Sequence, residues 1–349
     1  MAGIGSSSIL SSILGVQYTI GELMNIELKN GFKQPLTVVC LSVLALFFGA
    51  LAISYRIAGL VMIPFVSGCI AFLMCTEKKR IASIAVSAIL IIGEILYSLS
   101  AYYTPSVLTS VAVATVIALH YLKKKEKCDS ALFTTLIIAV AILASGALYL
   151  LGTTDASSLS EAYEYFLAAY DSFKEDMIAS IVSISASSDN ATLSTEYMNE
   201  VFNAYLNCLV GICGILAFLI SGLSHKAFGG LVKRYEKSPK PWHFIPATPF
   251  AYFYATVAIL SMFTTDTTSV INVSVANLYL IFMFVFAYAG FSFSVFVLNQ
   301  KRKRTAFTPL AIIAICVLFS SIAVQILAVV GAFATIYRAK LIKNDGTSV

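Results

Sequence analysis

An uncharged stretch over residues 267–300, followed at once by the basic run Lys301–Arg304, constrains the fold of this chain more than any other feature. Within it, Ser274–Leu298 is almost entirely apolar, and a helix needs about 20 apolar residues to cross the hydrocarbon core of a bilayer. Because lipid offers the backbone no hydrogen-bond partner, such a segment must be helical. Four adjacent cations are costly to move across a membrane, so we expect them on the cytoplasmic side.

The composition agrees with a membrane protein. Hydrophobic residues make up 59% of the chain and charged residues only 12%, whereas a soluble domain carries about a quarter charged residues. The formal charge of +5 comes from short basic clusters between apolar runs, without the interleaved aromatic residues of a nucleic-acid groove. We therefore expect a lipid bilayer and no nucleic acid as a partner.

Hydropathy along the chain predicts an all-α, polytopic transmembrane bundle of about nine spans, within a range of eight to ten. Eight apolar runs are separated by polar, basic or proline-containing segments: Pro35–Ile53, Ile57–Cys75, Ile81–Ser100, Ser106–Leu122, Ala131–Gly152, Glu200–Leu223, Thr248–Phe263 and Ser274–Leu298. A basic cluster follows every second run, which predicts a cytoplasmic N-terminus. The last run, Ala306–Tyr337, is long for one span and short for two, so a single tilted helix and a hairpin both stay open, as does the side of the C-terminus.

Residues 153–199 interrupt this pattern with eight acidic side chains and one basic one. Apolar residues recur at helical spacing from Tyr163 to Ile181, so we expect an amphipathic helix in an extracytoplasmic loop. The predicted division of the chain is a cytoplasmic lead-in at 1–34, a five-span bundle at 35–152, the acidic loop at 153–199, a C-terminal transmembrane part at 200–343 with a basic cytoplasmic elbow at 225–246, and a tail at 344–349.

Glu94 is the only acid deep inside a predicted span. A carboxylate within a membrane is costly and is by default a functional hypothesis, as a ligand contact, a proton relay or a partner contact. The alternative is a protonated side chain that is hydrogen-bonded to a neighbouring helix. We predict a substrate pocket that opens outward near Glu94, Tyr97, Tyr102 and Tyr103, beneath the acidic loop.

Two further sets of residues lie at positions where helices approach each other. Asn277, at the outer end of the eighth span, is a candidate for substrate binding or for interhelical hydrogen bonding. Ser42, Ala45, Gly49 and Ala52 recur at steps of 3, 4 and 3, and small residues at that spacing let another helix come close. That helix belongs either to the same bundle or to a docking subunit.

The elbow carries Lys233, Arg234 and Lys237, which we take as a second candidate surface for partner docking. The sequence contains no P-loop, GxSxG or HExxH motif, and no cysteine pair has CxxC spacing. We therefore expect no enzymatic activity, no cofactor and no metal. His120 lies just before a lysine cluster, so a solvated interfacial histidine is the expectation there. His225 and His243 also fall near the predicted cytoplasmic face, and a site in which the three histidines bind a metal is the alternative.

Several segments resemble a known family. Ala276–Leu278, followed by a long aromatic span to Gly290 and a basic stop, resembles the final third of the YybS-like family of bacterial polytopic membrane proteins. The second span, with Pro64 after Arg56–Leu60, and the stretch Val232–Pro246 resemble it as well. Towards the C-terminus Gly331 and Arg338 match the family's ending, but its usual acid is missing from residues 332–337.

The resemblance implies a further one, because the first five or six spans of that family look like the substrate-binding S components of energy-coupling-factor vitamin transporters. It implies a substrate-binding or transport component of the bacterial cytoplasmic membrane, which takes an unidentified small molecule and works with a separate energising subunit. The alternative from another class is a non-transporting scaffold or regulator that binds its partner through the elbow at 225–246.

Overall fold

The computed structural model describes residues 34–54, 56–75, 80–98, 105–123, 127–154, 156–186, 195–232, 244, 246–263, 269–301 and 322–337. Eleven helices and no β-strand are found in these ranges. In chain order the helices are α1 Gln34–Ser54, α2 Arg56–Met74, α3 Arg80–Ser98, α4 Ser106–Leu122, α5 Lys127–Thr153, α6 Leu159–Ala186, α7 Thr195–Asn207, α8 Leu209–Leu231, α9 Thr248–Phe263, α10 Val270–Lys301 and α11 Ile322–Tyr337.

Nine of the described helices are apolar. Helices α1, α3, α5, α8 and α10 are long and apolar enough to cross a bilayer, and α2, α4, α9 and α11 contain apolar segments of 10–17 residues. At about 1.5 Å per residue, a 17-residue helix reaches ~25 Å, close to the ~30 Å of the hydrocarbon core. The predicted polytopic helical bundle is therefore confirmed, and α4 and α9 begin and end at the predicted residues.

The predicted sixth span needs correction at its C-terminal end, and its first residues belong to a separate helix. The structure divides it at Cys208, where α7 ends and α8 begins, and α8 then continues to Leu231 instead of stopping at Leu223. The helix continues because Ala227 and Phe228 are buried against Gly68 of α2. Any elbow therefore starts after Leu231 and not at residue 225. Lys233, Arg234 and Lys237 lie outside the described residues, as does the part of the last apolar run before Ile322.

The chain groups into two compact units, one made of Met1–Ala141 with Leu219–Ser238 and the other of Ile142–Phe218 with Pro239–Val349. In the first unit, α1 and α2 form an antiparallel pair in which the ring of Phe48 stacks on that of Phe65, with centroids 5.1 Å apart. Helix α3 runs parallel to α1, because Leu90 covers Gly49 and Ile53 approaches Gly93 one turn further along. The predicted division of the chain into domains stays a prediction.

In the second unit, α10 and α11 approach each other very closely. A Cβ atom placed on Gly290 of α10 would lie 2.8 Å from the carbonyl carbon of Leu327 and 2.9 Å from the amide nitrogen of Gly331, both on α11. Backbones can approach this closely only where neither residue carries a side chain. Beside them, Tyr254 of α9 stacks on Phe286 at 5.0 Å and completes a small apolar core.

The acidic segment forms the predicted amphipathic helix, α6. The ring of Phe166 lies between those of Tyr163 and Tyr170, at 6.1 and 6.2 Å. At its start the Glu161 carboxylate accepts hydrogen bonds from the backbone N–H and the hydroxyl of Ser157, both at 2.8 Å. These hydrogen bonds favour the charged form and hold the pKa of Glu161 below its usual value.

Candidate functional site

Polar side chains buried among apolar helices are the candidates for function in this chain. A polar group in hydrocarbon is costly unless a hydrogen bond satisfies it, so each one either supports the fold or serves a ligand. Four sets among the described residues bear on function: on α3 with α4, along α3 alone, between α5 and α8, and between α10 and the junction of α7 with α8.

Glu94 of α3 is only 3% exposed and faces the start of α4. Its Oε1 accepts the backbone N–H of Val107 at 2.8 Å, and its Oε2 accepts that of Leu108 at 2.9 Å. The hydroxyl of Ser106 lies 3.4 Å from Oε1 and 3.2 Å from the carbonyl oxygen of Ala52. The carboxylate therefore joins α3, α4 and the end of α1 within the first unit.

The local sequence explains why α4 takes a carboxylate from another helix. The N-cap residue of α4 is Pro105, which makes no side-chain capping hydrogen bond. The first N–H groups of a helix have no intrahelical partner, and the positive end of the helix dipole favours an anion there. Glu94 supplies the two acceptor oxygens. Its geometry is that of a helix cap contributed by a neighbouring helix.

The predicted substrate pocket is only partly described. Tyr97 follows Glu94 by about one turn of α3 and is 39% exposed, whereas Tyr102 and Tyr103 lie outside the described residues. Since both oxygens of Glu94 already accept backbone N–H groups, the structure assigns it a structural contact. Ligand binding by Glu94 and the three tyrosines stays a prediction.

Ser83 and Ser87 are the exceptions among the buried hydroxyls. Both are buried, at 0% and 7% exposure, and neither oxygen has a hydrogen-bond partner. A serine in a helix commonly donates to the carbonyl four residues earlier, as Ser110 does to Ser106 at 2.7 Å. Spacings of four and seven residues place Ser83, Ser87 and Glu94 on one face of α3.

The stripe of small residues on α1 packs against the same unit. Ala45 and Ala52 are fully buried, and a Cβ atom on Gly49 would overlap the side chain of Leu90. Ser42, at the start of the stripe, is half-buried. The stripe thus serves packing within the chain over most of its length, and docking of another subunit along it stays a prediction.

A buried polar cluster that includes a histidine connects α5 and α8. Nε2 of His225 lies 2.9 Å from the hydroxyl of Ser130, and its Nδ1 lies 3.0 Å from the carbonyl oxygen of Ser221. The Ser221 hydroxyl donates to the carbonyl of Ala131 at 2.8 Å, and its oxygen lies 2.6 Å from the hydroxyl oxygen of Thr134. His225 itself is buried, at 2% exposure.

Asn277 of α10 is inserted into the junction between α7 and α8. Its Oδ1 accepts the N–H of Gly211 at 2.5 Å, and its Nδ2 donates to the carbonyl of Asn207 at 2.6 Å and to that of Val273 at 2.8 Å. In an uninterrupted helix, the N–H of Gly211 would bond directly to the carbonyl of Asn207, four residues earlier. The carboxamide bridges that pair, and the regular helix is interrupted at Cys208.

These contacts match the interhelical alternative predicted for Asn277. They also explain Gly211, because a Cβ atom there would lie 3.0 Å from Oδ1 of Asn277 and 2.8 Å from a methyl carbon of Leu280. Both N–H groups of the carboxamide and its oxygen are directed at backbone partners.

Sequence analysis missed Ser83, Ser87 and the Ser130–His225 pair. The two serines carry a usable signal, since they share the Glu94 face of α3 at helical spacing. The Ser130–His225 pair carries no such signal, because its members are 95 residues apart and neither belongs to a motif.

Residues 24–333 match the family model described as "Predicted membrane protein (DUF2232)". No curated protein and no solved structure matches the chain.

Proposed function

The chain belongs to the DUF2232 family of predicted membrane proteins, and from this premise we propose that it binds a small molecule among its helices as a component of a transport system. The observation that carries the proposal is the pair of buried, unpartnered hydroxyls of Ser83 and Ser87. Leaving a buried donor unsatisfied costs about 1–3 kcal/mol. A ligand with polar groups at this position would remove that cost.

The position of the pair on α3 supports a ligand site. Ser87 lies near the middle of α3, which spans Arg80–Ser98, and the substrate sites of many transporters lie near the bilayer midplane. The antiparallel register of α1 and α2, set by Phe48 against Phe65, places Ser67 of α2 near the same level. Ser67 is also fully buried, with its hydroxyl at 3.4 Å from the carbonyl of Pro64, a long hydrogen bond.

The chemistry of this level favours an uncharged ligand with hydrogen-bonding groups. The polar groups that the described residues supply here are hydroxyls, and the nearest carboxylate on the same face, Glu94, is about two turns away and occupied by α4. A bare ion would find no opposite charge in this environment. The proposal is therefore a neutral polar solute held between α1, α2 and α3.

The finer details predicted from the sequence belong to the same proposal. They are a fold similar to the S components of energy-coupling-factor transporters, a location in the cytoplasmic membrane with the N-terminus in the cytoplasm, no enzymatic activity, and a separate energising subunit. The alternative, a scaffold or regulator that binds through Lys233, Arg234 and Lys237, predicts no ligand among the helices.

The test measures ligand-dependent thermal stability of the purified protein in lipid nanodiscs, screened against vitamins and other small neutral metabolites. A ligand at 100 times its Kd stabilises the folded state by about 2.7 kcal/mol, which a melting curve resolves. The double variant Ser83→Ala/Ser87→Ala should lose this gain while melting higher than wild type without ligand, because two unsatisfied hydroxyls are gone.

Ser110→Ala is the matched control, since Ser110 is buried in the same unit but its hydroxyl is already paired. This variant should melt slightly lower and keep the response to ligand. If no compound stabilises the wild type, or if the double variant responds as the wild type does, the binding proposal is wrong. Loss of a captured partner protein on replacing Lys233, Arg234 and Lys237 would then favour the scaffold.

A further inference from the structure

Helices α6 and α7 carry exposed apolar side chains that the proposed ligand site, on α1, α2 and α3, does not use. Exposed apolar side chains on the membrane-crossing helices face lipid, but α6 and α7 are not among those helices. We propose that α6 lies flat on the bilayer surface, with its apolar side inserted among zwitterionic lipid headgroups. This interaction surface is separate from the ligand site.

The surface is a stripe of apolar side chains on α6, defined by Leu159, Tyr163, Phe173 and Met177, at the spacing of one helix face. All four side chains are exposed, the first three by half or more. The described part of the chain therefore leaves much of this stripe uncovered. Exposed apolar patches mark surfaces through which a protein contacts a partner or a membrane.

Contacts with α7 hold the middle of α6 near the bilayer. The ring of Phe173 meets that of Phe202 at 6.5 Å, and the hydroxyl of Tyr170 donates to the carbonyl of Phe202 at 2.6 Å. Phe202 lies six residues before Cys208, which is about 9 Å along a helix. Cys208 directly precedes α8, which is long and apolar enough to cross the bilayer. The middle of α6 thus lies close to the point where α8 starts.

The start of α6 is also held near the bilayer. Helix α5 ends its apolar segment at Thr153, and α6 begins at Leu159. The residues between them reach at most about 18 Å when fully extended. An upright α6 would lift Phe173 about 21 Å above Leu159, well beyond the level at which Phe202 follows from Cys208. The two tethers therefore favour a helix that runs along the surface.

The exposed side of α7 continues the exposed side of α8. Tyr205, Leu209 and Leu216 follow each other at steps of four and seven, and all three are exposed. An exposed leucine on a membrane-crossing helix faces lipid, so Tyr205 lies where that side of the helix leaves the hydrocarbon. Tyrosine suits this level, because its ring is apolar and its hydroxyl reaches water.

Carboxylates occupy another side of α6. Glu164, Asp171 and Glu175 recur at steps of seven and four, and the exposed Ala168 lies on the same side. A helix with one apolar and one charged side lies in the plane of a bilayer, its apolar side about 5–10 Å into the boundary between headgroups and acyl chains. Because these charges are negative, anionic lipids would repel the helix, and zwitterionic headgroups are the surface that fits.

Tryptophan fluorescence tests this orientation in proteoliposomes of phosphatidylcholine. In the background Trp242→Phe, which removes the only tryptophan of the chain, Tyr163→Trp places an indole on the stripe and Ala168→Trp places one on the carboxylate side. Phosphatidylcholine that is brominated near the headgroup end of its acyl chains should quench the emission of Tyr163→Trp several times more strongly than that of Ala168→Trp. Aqueous iodide should show the reverse order.

Equal quenching of the two variants by brominated lipid would overturn the proposal. So would protection of Tyr163→Trp from both quenchers, because the stripe would then be covered by protein, either another part of this chain or a second copy. Should Tyr163→Trp not fold, Met177→Trp samples the same stripe. Should the Trp242→Phe background not fold, the difference from the wild type with Trp242 in place gives the same comparison.

Discussion

Replacing Gly290 with alanine should separate α10 from α11. The added Cβ atom would lie 2.8 Å from the carbonyl carbon of Leu327 and 2.9 Å from the amide nitrogen of Gly331, whereas non-bonded heavy atoms prefer about 3.5–4.0 Å. All of these neighbours belong to the backbone of α11, so no side chain can rotate away. The helices must move apart by about 1 Å.

The cost follows from the contacts that such a shift weakens. Each pair of non-bonded atoms contributes about 0.1–0.2 kcal/mol, and a gap of this size removes about a quarter to a half of that attraction. Over a few dozen atom pairs the attraction that is lost amounts to about 2–3 kcal/mol. Alanine returns about 1 kcal/mol through its better helix propensity. The net expectation is a loss of about 1–2 kcal/mol in the free energy of unfolding, measured by reversible unfolding in mixed micelles.

Gly146 of α5 offers a matched control, because nothing lies within 4 Å of a Cβ atom built there. Gly146→Ala should be neutral or stabilising by up to about 1 kcal/mol. A Gly290→Ala variant as stable as Gly146→Ala would refute the close approach of α10 and α11. The pair Gly290→Ala and Gly331→Ala should cost less together than the sum of the single changes, since the first change already separates the helices.

Two further substitutions test the buried polar contacts. Glu94→Gln keeps one acceptor oxygen but places an NH₂ group, which can only donate, opposite one of the N–H groups of Val107 and Leu108. Thermal unfolding should therefore show a loss of about 2 kcal/mol in stability. An unchanged midpoint would contradict the capping role. Asn277→Leu leaves the N–H of Gly211 and the carbonyl of Asn207 without their bridge and should cost about 2–4 kcal/mol in the same assay. Wild-type stability in this variant would mean that the two groups bond directly and the carboxamide is dispensable.

Hydropathy and charge spacing carried the prediction of the helices, because span length and helical structure in lipid follow from local composition. The beginning and end of α4 and α9 came out as predicted, and so did the amphipathic α6. The division at Cys208 was not predicted, because no local sequence signal ends a helix there. It depends on a side chain from α10, and periodicity within one segment carries no information about such a partner.

The candidate site shows the same limit. Glu94 was recognisable as an acid in an apolar run, but its partners are backbone groups that became available because Pro105 cannot cap its own helix. The direct backbone contact between α10 and α11 involves Gly290 and Gly331, not the stripe of small residues on α1. A glycine has the same hydropathy whether it faces lipid, a flexible leucine or another backbone, and only the packing distinguishes these cases.

The carboxamide of Asn277 also has a consequence for how the chain is made. The ribosome delivers Asn207 and Gly211 to the membrane well before Asn277, which follows them by 70 and 66 positions. Before Asn277 is inserted, the N–H of Gly211 can bond directly to the carbonyl of Asn207, and the segment can form one continuous helix. We therefore expect the interruption at Cys208 to form late in biogenesis, when α10 enters the bilayer and the Asn277 carboxamide replaces the direct hydrogen bond between Gly211 and Asn207.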